Sequence, residues 1–373
     1  MLDFLLRELL MRPLIDSHLD LAWNALYFNR DLLATVPEVR AAEHGLNDEL
    51  ARGKNTLTLP ELRRANIPIC VATLMARSGP EQLARSEFKR TDLDYTTQAI
   101  AYGHAKGQLA FYRLLEEQGH LRFITTRGEL FAHFAAWQQA PANTPLGIIL
   151  SMEGADPIVS QDQVQAWWDC GLRAVGPVHY RRSQYAYGTG VDGPLSTEGA
   201  ELLRAFMRTG MTLDVTHLCD QSFYQALDIY QGPVLASHHN CRSLVSGDRQ
   251  LSDEQLRLLI ERDAVIGTAF DAWMLYPGWQ RGVTSPQVVG IEAAADHIDH
   301  ICQIAGSARH CAIGSDLDGG FGTEQTPHDL DTITDIHKLE DILDRRGYST
   351  AEIDGIFFEN WLRFFGKALP QTE

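Results

Sequence analysis

Two textures of apolar and polar positions alternate along this chain. Short aliphatic and β-branched runs occur near 14–21, 67–76, 146–154, 172–180, 211–217, 233–239, 264–273 and 310–319, and each reads as a fully buried strand. Between them lie stretches such as GAELLRAFMRTG, SDEQLRLLIERD and GIEAAADHIDHICQIAG. There apolar residues recur at three and four, and a glycine often closes the run, the mark of amphipathic helices. Eight strands alternating with helices predict an α/β chain folded as a (β/α)8 TIM barrel. A doubly wound open sheet competes with this reading, but no glycine-rich phosphate loop follows the first strand.

The connections at 22–66 and 77–145 are longer than one helix requires, so extra helices or a lid are expected over the barrel mouth. No repeat, low-complexity tract or Pro/Gly/Ser-rich linker divides the chain, and residues 1–373 read as a single domain. The opening MLDFLLRELLMRP predicts a short amphipathic lead-in helix. It lacks the basic start, uninterrupted apolar stretch and small-residue cleavage site of an export signal. Near the other end, Ser349 and Thr350 stand as a cap ahead of a helix rich in Phe and Trp, expected to pack on the barrel exterior.

Charge and cysteine usage then restrict the setting. Forty-nine acidic residues against 32 basic ones give a formal charge of -17, which argues against a nucleic-acid partner. Six cysteines (70, 170, 219, 241, 302 and 311) form no CxxC pair and read as reduced thiols. No apolar run approaches the roughly 18 residues that suggest a membrane span. A cytoplasmic location with no membrane partner is expected.

Five metal-binding side chains end four of the runs: His18 and Asp20 in LIDSHLDL, Glu153 in LGIILSMEG, His217 in MTLDVTH and His238 in PVLASHH. In a parallel barrel the carboxyl ends of the strands converge on one mouth. His18 and Asp20 are two apart on a strand and so share a face, with Asp16 below them as support. Glu153 ends an unbroken apolar strand, where a lone charge is very costly, and one glutamate can offer an oxygen to each of two ions. The set suits two adjacent divalent ions. Each residue has a plainer alternative: a strand-end histidine bonded to backbone, or a glutamate paired to an arginine. Coincidence at all five positions is the less economical reading. Asp316, in AIGSDLDGG, is a candidate proton carrier, while Asp318 is a candidate to hold the loop instead. His179 ends the fourth run and is a candidate donor to a developing oxyanion. His239 is expected to face away from the site, and the histidines in helices and connections are expected at the surface. These residues describe a binuclear metallohydrolase.

The motifs DSHLDLAWN, SMEG, THLCDQS, SHHNCRSLVSGDRQLSD, IGSDLDG and ENWLRFF together resemble the membrane (renal) dipeptidases and their bacterial relatives, over nearly the whole chain. The resemblance implies zinc as the metal, with His18 and Asp20 on one ion, His217 and His238 on the other, and Glu153 bridging. It implies that a metal-bridging hydroxide attacks the substrate, with Asp316 as the proton-handling acid and His179 touching the substrate carbonyl. Arg249, in SGDRQLSD, matches the arginine that grips the substrate's terminal carboxylate, a task suited to a guanidinium fork. A homodimer is a further expectation.

The chain departs from the family pattern at Arg181 and Arg182 after His179, and at Asp271 and Trp273 after the seventh run, which puts the substrate in question. Three readings follow. The first is hydrolysis of small dipeptides. The second is an amidohydrolase acting on N-acyl amino acids, lactams or other small amides. The third is a barrel that binds metal or ligand without catalysis.

Overall fold

The computed structural model describes residues 11–78 and 94–371. The lead-in helix expected at the amino terminus falls almost wholly outside them. Eight parallel strands form the barrel: β1 (Ile15–Leu19), β2 (Ile69–Met75), β3 (Leu146–Glu153), β4 (Leu172–Gly176), β5 (Thr212–Asp214), β6 (Val234–Leu235), β7 (Ile266–Thr268) and β8 (Cys311–Ile313). Their hydrogen-bonded order is β7-β8-β1-β2-β3-β4-β5-β6. A single parallel bridge between Ala236 and Ile266 joins β6 to β7, so the barrel is near-closed.

The outer helices follow from the patterns that predict them. Thr197–Thr209 is capped by the Ser196 side chain and stops at Gly210, whose φ of 82° suits glycine. Asp253–Glu261 begins with a Ser252/Gln255 capping box, and Glu292–Ala305 stops at left-handed Gly306. Their apolar faces join one large core cluster with the outward-facing strand residues. The long connections carry extra helices at Leu21–Phe28, Val36–Ala42 and Leu59–Arg64, then Gln98–Glu117 and Arg127–Gln139. Leu121–Phe123 adds a ninth parallel strand beside the first residues of β3, an element too short to read from the sequence.

The carboxyl-terminal segment occupies a different place from the one expected. Its capping box (Ser349 with Glu352) forms, and the helix runs through a π-helical turn into Asn360–Ala368. Trp361, Phe364 and Phe365 then pack on Ile15, Ile69, Val71, Ile149 and Leu235. Val71 and Ile149 share the inward faces of their strands with Thr73 and Glu153. The helix therefore stoppers the floor of the barrel rather than lying on its flank. Trp361 Nε1 donates to the Ile313 carbonyl (2.9 Å), and Asn360 donates to the carbonyls of Ala308 and Cys311 (2.8 Å each).

Candidate metal centre and active site

At the opposite end of the strands, one residue spacing recurs. His179, His217, His238, Asp271 and Asp316 each lie three residues beyond the last paired residue of β4, β5, β6, β7 and β8. The regular ladder thus ends sooner than the apolar runs predict. His217 and Asp316 adopt left-handed backbone (φ 69° and 59°), which breaks an extended strand and is a strained state for residues other than glycine. Only His18 and Glu153 sit within strands, with Asp20 one residue past β1.

β1 also departs from simple alternation, because its pairing with β2 shifts register between Asp16 and Leu19. Such bulges re-aim side chains beside active sites. Asp16 therefore supports the site through backbone: it accepts from the N–H groups of His18 and Ser315 (3.0 Å each). Asp214, which the sequence reading missed, does the same for Thr216 (3.0 Å) and Ser237 (3.1 Å) at the tops of β5 and β6.

The predicted ligands converge. Glu153 Oε1 lies 3.1 Å from His217 Nε2, 3.4 Å from His238 Nε2 and 3.7 Å from His179 Nε2. Its other oxygen lies 3.6 Å from His18 Nε2, which is 3.8 Å from Asp20 and 3.9 Å from Asp316. Asp316 also stands 3.9 Å from His238 Nε2. Three overlapping triads have donor atoms mutually within 4.8 Å: His18–Glu153–His238, Glu153–His179–His217 and His18–Asp20–Asp316.

What lies behind each imidazole separates them. Ser237 Oγ sits 2.9 Å from His238 Nδ1 and 3.3 Å from His18 Nδ1, and Thr189 Oγ1 sits 3.0 Å from His217 Nδ1. A hydroxyl can accept from Nδ1–H, which leaves the Nε2 lone pair facing the centre. His179 differs: its Nδ1 lies 3.2 Å from Arg77 Nη1. On the carboxylate side, Thr73 donates to Asp20.

These donors fit divalent cations. His18 Nε2 is buried without a hydrogen-bond partner. The Nε2 atoms of His217 and His238 face each other at 3.3 Å and converge on one carboxylate oxygen. Three carboxylates (Asp20, Glu153, Asp316) share the site, and among the described residues their only ion-pair partners are histidines, with no Lys or Arg. Concentrated negative charge of this kind calls for a cation.

The protein's own charges display the same imbalance. Burial opposes a charge on His18, yet Glu153, Asp20 and Asp316 push it up to about 10. Burial and the Glu153 and Asp20 charges hold the Asp316 carboxyl well above the usual range, against the pull of His18. Burial works to raise Glu153, but His179 and His18 hold it well below.

The mouth opens into a cleft of about 590 Å³, a size suited to a small ligand. Trp23, Tyr27 and Phe28 line one side from the first long connection, and Tyr180, Arg181, Asp271, Trp273 and Trp279 line others. Arg182 is not in the lining; its guanidinium rests over the Tyr187 ring at 5.3 Å. Asp271 is buried, accepts from Gln325 on both oxygens (2.9 and 3.0 Å) and is pushed up to about 7, chiefly by burial. Asp318 holds a loop, accepting from the backbone and hydroxyl of Thr56 (2.7 Å each).

Arg249 stands behind the lining, fully buried. Its Nη2 donates to the His238 carbonyl (2.9 Å), and among the described residues no carboxylate pairs with it. His239 contacts Arg249 (3.5 Å) and belongs to none of the three triads. The surface expectation for the other histidines fails at His133, His297 and His310. All three are buried and bonded to backbone, which satisfies their polarity inside the core.

A near-closed parallel barrel with a carboxylate–imidazole cluster at its carboxyl-terminal mouth defines a metal-dependent hydrolase architecture. A model of the membrane dipeptidase family (peptidase family M19) matches residues 5–371. The chain belongs to this family of metallo-dipeptidases, hydrolases that act on peptide bonds.

Among solved structures, it is similar to dipeptidase AC, a metallopeptidase of family M19, with a TM-score of 0.77 and 22% identity over 97% of this chain and 100% of that one. It is also similar to a Rhodobacter sphaeroides metallopeptidase liganded with a phosphinate mimic of L-Ala-D-Ala (TM-score 0.75, 20% identity, 96% of this chain and 99% of that one). A Klebsiella pneumoniae uncharacterised protein in the pqqA 5' region is 27% identical over 229 residues, 58% of this chain and 80% of its own length. Two further curated relatives are matched over about half of theirs, 54% and 51%.

Proposed function

We propose that this chain is a binuclear zinc-dependent dipeptidase that cleaves small dipeptides bearing a free carboxylate. The observation that carries the reading is the convergence of three buried carboxylates and three hydroxyl-backed imidazoles, with no Lys or Arg among the described residues in an ion pair with those carboxylates. His18 and Asp20 would hold one ion and His217 and His238 the other, with Glu153 shared between them. When bound, two divalent ions supply Lewis acidity: they acidify water toward neutral pH and offset charge on a carbonyl oxygen.

The chain's own residues do the rest. Asp316 accepts the proton of the attacking water and passes it to the leaving amine. His179 donates Nε2–H to the carbonyl oxygen as it gains charge. Arg249, a buried cation with no carboxylate partner among the described residues, takes the substrate's terminal carboxylate. Asp271 faces the free α-amine from the cleft wall. A cytoplasmic location belongs to the same reading, since all six cysteines are free thiols. Among the described residues no helix is long and apolar enough to cross a membrane. A homodimer is the proposed assembly.

The test is hydrolysis by metal-stripped and zinc-reloaded protein against L,L and L,D dipeptides, N-acyl amino acids and lactams. The Rhodobacter neighbour's phosphinate ligand motivates the D-configured arm. Dipeptide cleavage that appears only after zinc is returned is the expected result. Activity that survives complete metal removal defeats the proposal, and selective cleavage of acylated substrates or lactams transfers it to the amidohydrolase reading.

A further inference from the structure

We infer that Arg77 is a positioning residue: its guanidinium holds His179 in the tautomer that presents Nε2–H to the reaction centre. This rests on the reaction proposed above, in which His179 donates to the substrate carbonyl.

Arginine has donors and no acceptor, so an Nη1–Nδ1 contact of 3.2 Å requires a bare lone pair on His179 Nδ1. A neutral imidazole carries one proton, which must then reside on Nε2. That atom lies 3.7 Å from Glu153 Oε1, at the centre of the cluster. The tautomer is opposite to the one that hydroxyl partners permit at His18, His217 and His238. Four imidazoles of identical chemistry thus divide into three whose hydroxyl partners allow a lone pair to face the centre and one whose guanidinium partner leaves a proton facing it. The division is written in what stands behind them.

Arg77 is itself held in place. Its Nη2 donates to Asp94 Oδ2 (3.1 Å), and its Nε lies 3.0 Å from Asp94 Oδ1. The two residues face each other in register in a short parallel pair, Arg77–Ser78 with Asp94–Tyr95. The backbone N–H of Ser78 reaches Asp156 (3.3 Å), in the loop after β3. Arg77 is thus braced on both sides before it meets His179. A rim ion pair with Asp94 alone would leave no reason for the third contact.

Selective ¹⁵N labelling of histidine in the zinc-loaded enzyme reads the His179 tautomer directly, with His179→Gln identifying the signal. In the wild type, Nε2 should be protonated and Nδ1 bare. Arg77→Met keeps bulk and removes the donors. It should release the tautomer and lower kcat about 10- to 100-fold, with KM and zinc content close to wild type. Arg77→Lys restores a donor and should recover most of the turnover. A wild-type proton on Nδ1, a wild-type tautomer in Arg77→Met, unchanged turnover, or loss of zinc in step with turnover each overturns the inference. If the zinc-loaded wild type cleaves no dipeptide, the proposed reaction fails, and the tautomer measurement still decides what Arg77 does.

Discussion

At the floor of the barrel, Ile15, Val71, Ile149, Leu235 and Ala312 pack against Trp361 and Phe365. Within four residues along the same strands, the mouth presents His18, Thr73, Glu153, His238 and Asp316. The floor is dry, apolar and stabilised by area removed from water. The mouth holds buried charge and unpartnered nitrogen, which work against folding unless a cation satisfies them, and left-handed backbone at residues including His217 and Asp316, which is strained. Between the two lies a thin layer of small residues. A side chain at Gly267 or Gly314 would run into the Ser237 carbonyl at 2.0 or 1.8 Å, and Ser17 Oγ donates to that same carbonyl (2.5 Å). Stability and chemistry are thus stacked along one axis. Substitutions on either side of this layer should separate them.

The largest separation is expected at Asp316. Asp316→Asn removes the proton carrier and should lower kcat by about 10²–10⁴-fold while zinc content and unfolding midpoint stay near wild type. Retained turnover would reassign the proton transfer. Trp361→Ala probes the other end. It should cost about 3–5 kcal/mol in urea unfolding, with kcat of the folded fraction little changed. An equal loss of kcat would show that the floor and the mouth are coupled.

A smaller effect is expected in the layer between them. Ser237→Ala deletes the hydroxyl shared by His18 and His238, and zinc affinity should weaken about 10- to 100-fold. Competition with a chelator measures this, and unaltered affinity would remove the hydroxyl from the account.

The smallest effect is a pH dependence at Asp271. Its buried carboxyl is pushed up to about 7, from about 4 in an unfolded chain. Between those values the folded protein keeps a proton that the unfolded chain releases, so stability falls as pH rises through the window. Asparagine carries no such proton. Relative to Asp271→Asn, the wild type should lose about 1 kcal/mol per pH unit between pH 5 and 7. Parallel stability curves would contradict this.

The eight apolar runs were enough to read the barrel, because a buried parallel strand leaves a short aliphatic signature and its carboxyl end has a fixed destination. That logic also reached His18, Asp20, Glu153, His217 and His238, which the structure gathers into overlapping triads at one mouth. It did not reach the backing groups. Ser237 to His18, Thr189 to His217, Asp214 to Ser237 and Arg77 to His179 are contacts between separate segments, and no local pattern encodes those meetings. Arg249 was legible as a residue, but its seat behind the His238 backbone was not. The carboxyl-terminal helix shows the same boundary. Its amphipathic pattern states that one face is buried, and only tertiary packing states that the burial partner is the barrel floor.

The mouth's need for paired cations is open to direct measurement. Calorimetric titration of metal-stripped protein with zinc should reveal two tight equivalents per chain, with dipeptide turnover reaching its maximum as the second is filled. Saturation at one equivalent with full turnover, or no uptake by folded protein, would contradict it.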